Sequence, residues 1–517
     1  MMDSSILQTL AVLYVLYLLG LIIYRLYFSP LAKFPGPKLA ACSKWYEFYY
    51  DVILRGQFTF QIQRMHQKYG PIVRINPFEL HIQDSTFWDE LYTKNKEYER
   101  YAWMSGRFGA NTTTSSTVKS DLHATRRAPL NPMFSKRSIT EFEPIVHEKV
   151  GLLSKRLAEY AKNGEVLEMN SAFNAFAGDV ISSYCFGFSF DQLKSSGFKD
   201  NFHAAYEAVR KFAHFGLQFP VVFIILGLSP RAMLKLVVPN IYKMFVLQKD
   251  LQSKISAIIQ DHQGNPEDID SKSSLNTHSH PTIFDELLRS KLPPSEKTVR
   301  RLGSEAQQMI GAGVETVAWA LTTTVFYLLS DHACLDKLRA ELKAAIPDPA
   351  NLPSSTALEK LPYLSACVKE GIRLSTGVSV RLPRVSPHKP IVYGGWVIPP
   401  IVPVSMTTLD VLRDPEVFTS PNNFIPERWL GSPKVANTGE SLAKYFVPFG
   451  KGPRMCIGIN LAYVEMHLTL AMLFRRFTFE LYETDVSDVE IKHDFMVPQP
   501  KLSTKGVRAK VTGLVVE

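Results

Sequence analysis

The chain has 517 residues, of which 46% are hydrophobic and 21% charged, a composition that excludes a disordered chain and fits a globular protein with a large core. Lys and Arg number 58 against 49 Asp and Glu, a net charge of +9. The basic residues are scattered, with short pairs such as Arg126-Arg127 and Arg300-Arg301, which argues against a nucleic-acid binder. Ordinary solvated surface is the plain reading of that charge; a basic docking face for an acidic electron donor is the alternative. Cys42, Cys185, Cys334, Cys367 and Cys456 are far apart and form no C-x-x-C, so a disulfide framework or structural zinc site is not expected, and a reducing compartment fits.

In chain order, Ile6 to Tyr24 is apolar except for Gln8 and Thr9. As a helix it would span roughly 30 Å, one bilayer core. Its length and the lack of a small-residue cleavage site favour a retained anchor over a signal peptide. Asp3 precedes it, and Arg25, Lys33 and Lys38 follow, which puts the C-terminal side in the cytosol. Pro30 and Phe34-Pro35-Gly36-Pro37 predict a stiff, non-helical connector. The expected organisation is an anchor at 1–28, a proline-rich hinge at 29–38 and a catalytic body at 39–517.

Within the body, Pro71 to Asn76 and Glu79 to Ile82 read as strands. Asn111-Thr112-Thr113 matches a glycosylation acceptor but reads better as a polar loop. Phe215 to Leu228 and Val237 to Leu247 are apolar but too short to span a bilayer; they fit a core helix or a surface element dipping into the membrane. The polar stretch 263 to 281 predicts an exposed loop. A long helix is predicted from Pro294-Ser295-Glu296 to about Leu329, with Ser295 as N-cap.

Two segments carry chemistry. Gly311-Ala312-Gly313-Val314-Glu315-Thr316 puts two glycines in mid-helix, at a cost of roughly 1 kcal/mol each relative to alanine. Such a conflict marks a functional site or a close helix contact. Phe449 to Gly458, FGKGPRMCIG, surrounds Cys456 with glycines just before a helical pattern from Ile459 to Leu473. Backbone N–H groups at a helix start favour thiolate over thiol. The other four cysteines read as inert apolar side chains.

The second segment resembles the haem-binding signature of the cytochrome P450 superfamily, F-x-x-G-x-R-x-C-x-G, matching at Phe449, Gly452, Arg454, Cys456 and Gly458. The resemblance implies a mainly α fold with small β-sheets, an α-rich trigonal prism around a buried haem b, behind one N-terminal transmembrane helix. It implies Cys456 as the axial iron ligand, whose thiolate promotes O–O cleavage. Phe449, Gly450, Gly458, Ala312 and Gly313 are then cofactor contacts, and Arg454, Arg127 and Arg384 meet the propionates. Where the family usually has W-x-x-x-R, this chain has His123 and Arg127.

Residues 312 to 316 are similar to the family's [A/G]-G-x-[D/E]-T. Thr316 is then expected to hold water near the reacting oxygen, and Glu315 to relay protons. Glu370-x-x-Arg373 and Phe424-Ile425-Pro426-Glu427-Arg428-Trp429 imply a buried network of Glu370, Arg373 and Arg428 under the cysteine loop. The implied substrate pocket is drawn from Trp103 to Thr117, residues 212 to 228 with Phe215, Ala312, Val378 to Leu382 (Val378, Val380 and Leu382 in particular), and Phe495 to Val497 with Phe495 and Met496.

The segments RLSTGVSVRLPRVSP and Glu305 to Gly313 are similar to fungal secondary-metabolism members such as those resembling trichodiene oxygenase. The implied reaction inserts one atom of O2 into a hydrophobic small molecule, a terpenoid or polyketide by that resemblance. No dinucleotide-binding glycine fingerprint follows a strand. The chain is therefore not expected to be a self-sufficient fusion, and the resemblance implies electrons from NADPH through a separate flavoprotein reductase, with cytochrome b5 as a further donor, at the endoplasmic reticulum membrane. A haem-thiolate isomerase or dehydratase acting on a peroxide without O2, and a non-catalytic haem-binding membrane protein, stay open as alternatives.

Overall fold

The computed structural model describes residues 4–108, 112–199, 202–264 and 282–515. Asp3, Asn111 and positions 265–281 of the polar stretch lie outside the described residues. Ser4–Ile23 is a helix whose described side chains face outward. The run Ser5–Phe28 has a hydropathy of 2.4 with 0% of it buried. Helix Val299–Ser330 is also long and apolar, but 78% of its most apolar stretch is buried, so it is the central core helix.

The expected hinge is a seated strap. Leu31 and Phe34 are each 4% exposed, and Phe34 packs 5.0 Å from Trp396. The Arg74 N–H donates to the Pro35 carbonyl at 2.7 Å. Arg25, just past the apolar span, donates from Nη1 to the Cys42 carbonyl at 2.5 Å, and its own carbonyl accepts from Arg74 Nη1 at 2.7 Å. The prolines that keep the strap extended also let it lie flat against the first sheet strand.

The central helix starts later than expected. Pro294–Glu296 forms a separate 3-10 turn, and Thr298, not Ser295, caps the helix by accepting the Arg301 N–H at 3.3 Å. The turn swings Glu296 into pairing with Arg126 at 2.7 Å and Arg301 at 3.0 Å. Around this helix pack Lys136–Asn163, Met169–Phe186, Pro362–Ser375 and Ile459–Arg476, which share one apolar core. Lys136–Asn163 shows why such helices form: Ser135 caps its start, and Gly164, at φ 67°, ends it in the left-handed region.

Four small sheets flank the helices among the described residues. The largest runs Ile72–Arg74, Leu80–Ile82, Pro403–Ser405, Arg384–Val385, Glu99–Arg100, and includes both predicted strand regions. Its last pair sets Arg100 opposite Arg384. The hairpin His493–Phe495 and Val497–Gln499 reaches back towards the central core.

Of the two apolar stretches, Val221 to Leu228 is surface, whereas Leu217, Met244 and Leu247 are buried. Helix His203–Gln218 ends before Pro220, and Val221–Leu228 follows with no buried residue. Leu228 is 82% and Leu236 85% exposed. Phe219 joins this face to Trp45 and Phe48, near the exposed Leu39, Tyr49 and Ile53 that follow the strap.

Candidate active site

Cys456 sits two residues before Gly458, the N-cap of helix Ile459–Arg476. Its N–H donates to the Phe449 carbonyl at 2.8 Å, closing the loop, and Phe449 packs 5.5 Å from Tyr463. Gly452 has φ 71°, and a Cβ there would stand 2.2 Å from the Tyr92 carbonyl oxygen, so the turn requires glycine. At Gly450 and Gly458 an added Cβ would meet nothing within 4 Å. Cys456 itself keeps accessible surface, so open space adjoins the loop.

Burial pushes the Cys456 thiol above its ordinary pKa, against the pull of the Gly458 N–H and Arg127. This corrects the expectation that the loop alone favours thiolate. Here burial is the larger effect, and a bound metal cation is what would discharge the sulfur. Among the described residues no group of three or more His, Cys, Asp or Glu could hold a metal ion.

One side of that space is strongly cationic. Arg100, Arg127, Arg384 and Arg454 converge on His123, which is 4% exposed. Burial first, and then these four guanidinium groups, push the imidazole down to about 3, so it is neutral. Burial and its three arginine neighbours lower Arg100 to about 9; burial and Arg384 with Arg127 lower Arg454 to about 10. None of the four makes an ion pair among the described residues, and the enclosed Arg100 Nε has no partner. Arg454 is aimed by backbone, donating to the Thr117 carbonyl at 2.6 Å and that of Val118 at 3.0 Å. Neighbouring Arg126, by contrast, is neutralised by Glu296. Buried and half-buried cations without counter-ions are costly, and this set fits the two propionates of haem. Sequence reasoning found Arg127, Arg384 and Arg454 but missed Arg100, which lies in a two-residue strand with no local signature.

On the central helix, Ala312 is exposed and Thr316 partly so, one turn apart on one face. Thr316 Oγ1 donates to the Ala312 carbonyl at 2.8 Å. One turn on, Trp319 Nε1 donates to the Ser375 carbonyl at 2.9 Å, which turns this face towards the segment leading to Val378. The two glycines serve close packing instead. A Cβ at Gly311 would stand 2.4 Å from Tyr206 Cε1, and one at Gly313 2.9 Å from Ile181 Cγ1. Gly313 therefore faces helix Met169–Phe186, which corrects its expected place as a cofactor contact.

Glu315 points elsewhere than Thr316. It is 4% exposed, pairs with Arg210, and lies 2.9 Å from His203 Nδ1. Burial would raise its pKa, but Arg210 and His203 outweigh it and hold the carboxyl at about 2. A polar cavity of about 350 Å³ beside it is lined by His203, Glu207, Arg210 and Asn174. Proton relay through Glu315 therefore requires Arg210 to move first.

Glu370, Arg373 and Arg428 do meet. Glu370 accepts from Arg373 at 2.7 and 2.8 Å, from Arg428 Nε at 2.9 Å and from the Ile425 N–H at 3.0 Å. Trp429 Nε1 adds a bond at 2.8 Å, and its ring packs 5.0 Å from Phe446, which leads into the cysteine loop.

The expected pocket segments converge in part. The Ser379 N–H donates to the Met496 carbonyl at 2.9 Å and Ser379 Oγ to Asp494 at 2.8 Å, bringing Val378 and Val380 beside Phe495 and Met496. His214 Nε2 meets the Asp494 carbonyl at 2.6 Å, and its ring lies 5.8 Å from Phe495. Phe215 instead packs at a tilt against Phe212 and Phe219 in the outer aromatic strip, which corrects its placement in the pocket; His214 is the neighbour that meets Asp494 and Phe495. Trp103 is capped by Lys44, whose Nζ lies 3.4 Å from the ring centroid. Leu382 packs under the large sheet, held by Tyr92 Oη on its carbonyl at 2.8 Å.

The family profile of cytochrome P450 matches residues 40–505. The chain belongs to the cytochrome P450 family. This P450 is similar to the tryptophan 6-hydroxylase fscE of Fusarium equiseti, 44% identical over 96% of this chain and 95% of that protein. It is similar to the cytochrome P450 monooxygenase orf6 of Eupenicillium brefeldianum, 42% identical over 98% and 99% of the two chains. The N-acetyltryptophan 6-hydroxylase ivoC of Emericella nidulans is 40% identical over 96% of each. The enzyme class is haem-thiolate monooxygenase, and family membership implies haem, O2, a redox partner and a small-molecule substrate.

Proposed function

We propose that this P450 inserts one oxygen atom of O2 into a hydrophobic ring-bearing metabolite of fungal secondary metabolism, in the first instance an indole acid such as tryptophan or its N-acyl derivative. The observation that carries the chemistry is Cys456, with accessible surface at the loop, near a cluster of four guanidinium groups that make no ion pair among the described residues. The indole class is supported by two similar hydroxylases named for tryptophan and N-acetyltryptophan. A terpenoid or polyketide scaffold has only the sequence resemblance behind it.

Haem, when bound, supplies the activation of O2 and the oxygen-transfer chemistry. Cys456 Sγ would hold its iron, and Arg100, Arg127, Arg384 and Arg454 its propionates, with neutral His123 offering one more donor. Thr316 Oγ1 gives its proton to the Ala312 carbonyl, which leaves its lone pairs free to hold a water whose proton can move to the reacting site. Ion-paired Glu315 keeps a carboxylate ready behind that helix, next to the polar cavity. Val380 and Phe495 shield the space from water.

Electrons come from NADPH through a separate flavoprotein reductase, with cytochrome b5 as a second donor. The anchor crosses the endoplasmic reticulum membrane once, with the body on the cytosolic side; the exposed apolar run Ser5–Phe28 supports this.

The test is the carbon-monoxide difference spectrum of the reduced protein. A strongly red-shifted Soret band, lost in Cys456→Ser, is expected; a band typical of a neutral or histidine ligand sinks the reading. Turnover of N-acetyltryptophan should then require both NADPH and reductase. Product formed without NADPH would mean an isomerase or dehydratase.

A further inference from the structure

Arg107 follows the short helix Ala102–Ser105 and is 4% exposed. A guanidinium can donate five hydrogen bonds. This one makes a single side-chain contact, from Nη2 to the Met104 sulfur at 3.6 Å, and its enclosed Nε has no partner. Its nearest charged neighbours are Asp494, Asp51, Arg381 and Glu47, from the three other segments around the pocket and the strap side of the body.

Each of those carboxylates is already engaged. Asp494 accepts from Ser379 Oγ at 2.8 Å, the Met496 N–H at 2.9 Å and Thr59 Oγ1 at 2.5 Å. Asp51 accepts from the Phe58 N–H at 3.2 Å and pairs with His214 Nδ1 at 3.1 Å. Glu47 and Glu79 each hold Arg381 at 2.8 Å. The carboxylates of the knot are thus already engaged, and Arg107 is left with a buried Nε that has no partner and an Nη2 that meets only a sulfur. It sits where residues 103–107, His214, Ser379 and Met496 meet, the junction of four segments expected to form the pocket wall. A buried cation lacking hydrogen bonds is expensive unless a ligand completes it. A planar fork is matched by a carboxylate.

We propose that Arg107 is the carboxylate anchor of the substrate pocket, taking the acid group of a ring-bearing carboxylic acid and so turning its ring towards Ala312 and Thr316. The proposal rests on the monooxygenase reading above and deepens it. It names the feature shared by tryptophan and N-acetyltryptophan, the carboxylate, as what the pocket reads. Arg107 acts here as a specificity-determining residue and takes no part in oxygen chemistry.

The experiment is calorimetric titration of the purified holoprotein with two matched pairs. These are N-acetyltryptophan against N-acetyltryptamine, and N-acetylphenylalanine against N-acetylphenethylamine. Wild type should bind the acids about tenfold to hundredfold more tightly than their neutral partners, the worth of a charge-assisted bond. Arg107→Gln should bring the ratio near one and leave the neutral compounds' affinity unchanged, which a merely structural arginine would not do. Arg107→Lys, which keeps the buried charge but loses the fork, should lower the ratio in part, and decides alone if the Gln variant fails to hold haem. No acid preference in wild type, no binding of either acid, or a preference that survives in the folded variants overturns the proposal. If the phenyl pair shows the ratio and neither indole binds, the indole reading falls while the Arg107 assignment stands.

Discussion

Arg100 and Arg384 face each other as cross-strand partners, two cations at one register position. Like charges directly opposite destabilise a sheet. The pair persists in a cluster that also holds Arg127 and Arg454. Arg100→Gln should therefore have opposite effects on two forms of the protein. The haem-free form should become more stable, with a higher midpoint in urea, and the haem-bound form should lose its cofactor faster to apomyoglobin. Parallel losses in both would contradict the propionate assignment.

Glu370 is fully enclosed and accepts from Arg373, Arg428, Trp429 and the Ile425 N–H. Glu370→Ala strands two guanidinium groups, a loss of about 3–5 kcal/mol, and should yield protein without haem. Trp429→Phe keeps an aromatic ring edge-on to Phe446 and removes one bond to a charged group, about 1.5–3 kcal/mol. Denaturant unfolding monitored by circular dichroism should rank the two in that order; normal haem content in Glu370→Ala would count against a supporting role.

The clamp on Glu315 sets a pH dependence. Its carboxyl lies at about 2 against an ordinary value of 4.5. A depressed carboxylate contributes stability that is present above the ordinary value and lost as pH falls towards 2. At neutral pH the group is therefore ionised in wild type. Arg210→Met removes the closest counter-charge, leaves burial in control, and should raise the pKa. A protonated-carboxyl infrared band near neutral pH, absent from Arg210→Met/Glu315→Gln, is the expected sign. No such band would mean that His203 alone suffices.

The exposed face that includes Leu228 and Leu236 should contact lipid independently of the anchor. Protein lacking residues 1–28 should still float with neutral phosphatidylcholine vesicles, and Leu228→Ser/Leu236→Ser should release it without changing haem content. Equal flotation of the two would remove this face from the membrane contact.

Features made by local chemistry could be read along the chain. The cysteine turn, the first strand pair and the E-x-x-R pair each depend on residues close together in sequence, and the apolar span is one continuous run. What escaped depends on distant partners. Ser295 looks like a cap until Glu296 is drawn away to Arg126 and Arg301. Gly313 looks like an opening for a ligand until Ile181 fills it. Phe215 and His214 are adjacent, and only the packing of Phe219 and Asp494 decides which one faces inward. Arg100 and Arg107 have no motif at all; their meaning comes from the guanidinium groups and carboxylates that other segments bring beside them.

The Arg25 fastening has a mechanical corollary. Its bonds to the Cys42 carbonyl and from Arg74 join the end of the span to the first sheet. In the membrane-anchored reading proposed above, a bilayer whose thickness alters the tilt of the span would tilt the body with it, so the elevation of Leu228 and Leu236 over the lipid would follow membrane thickness.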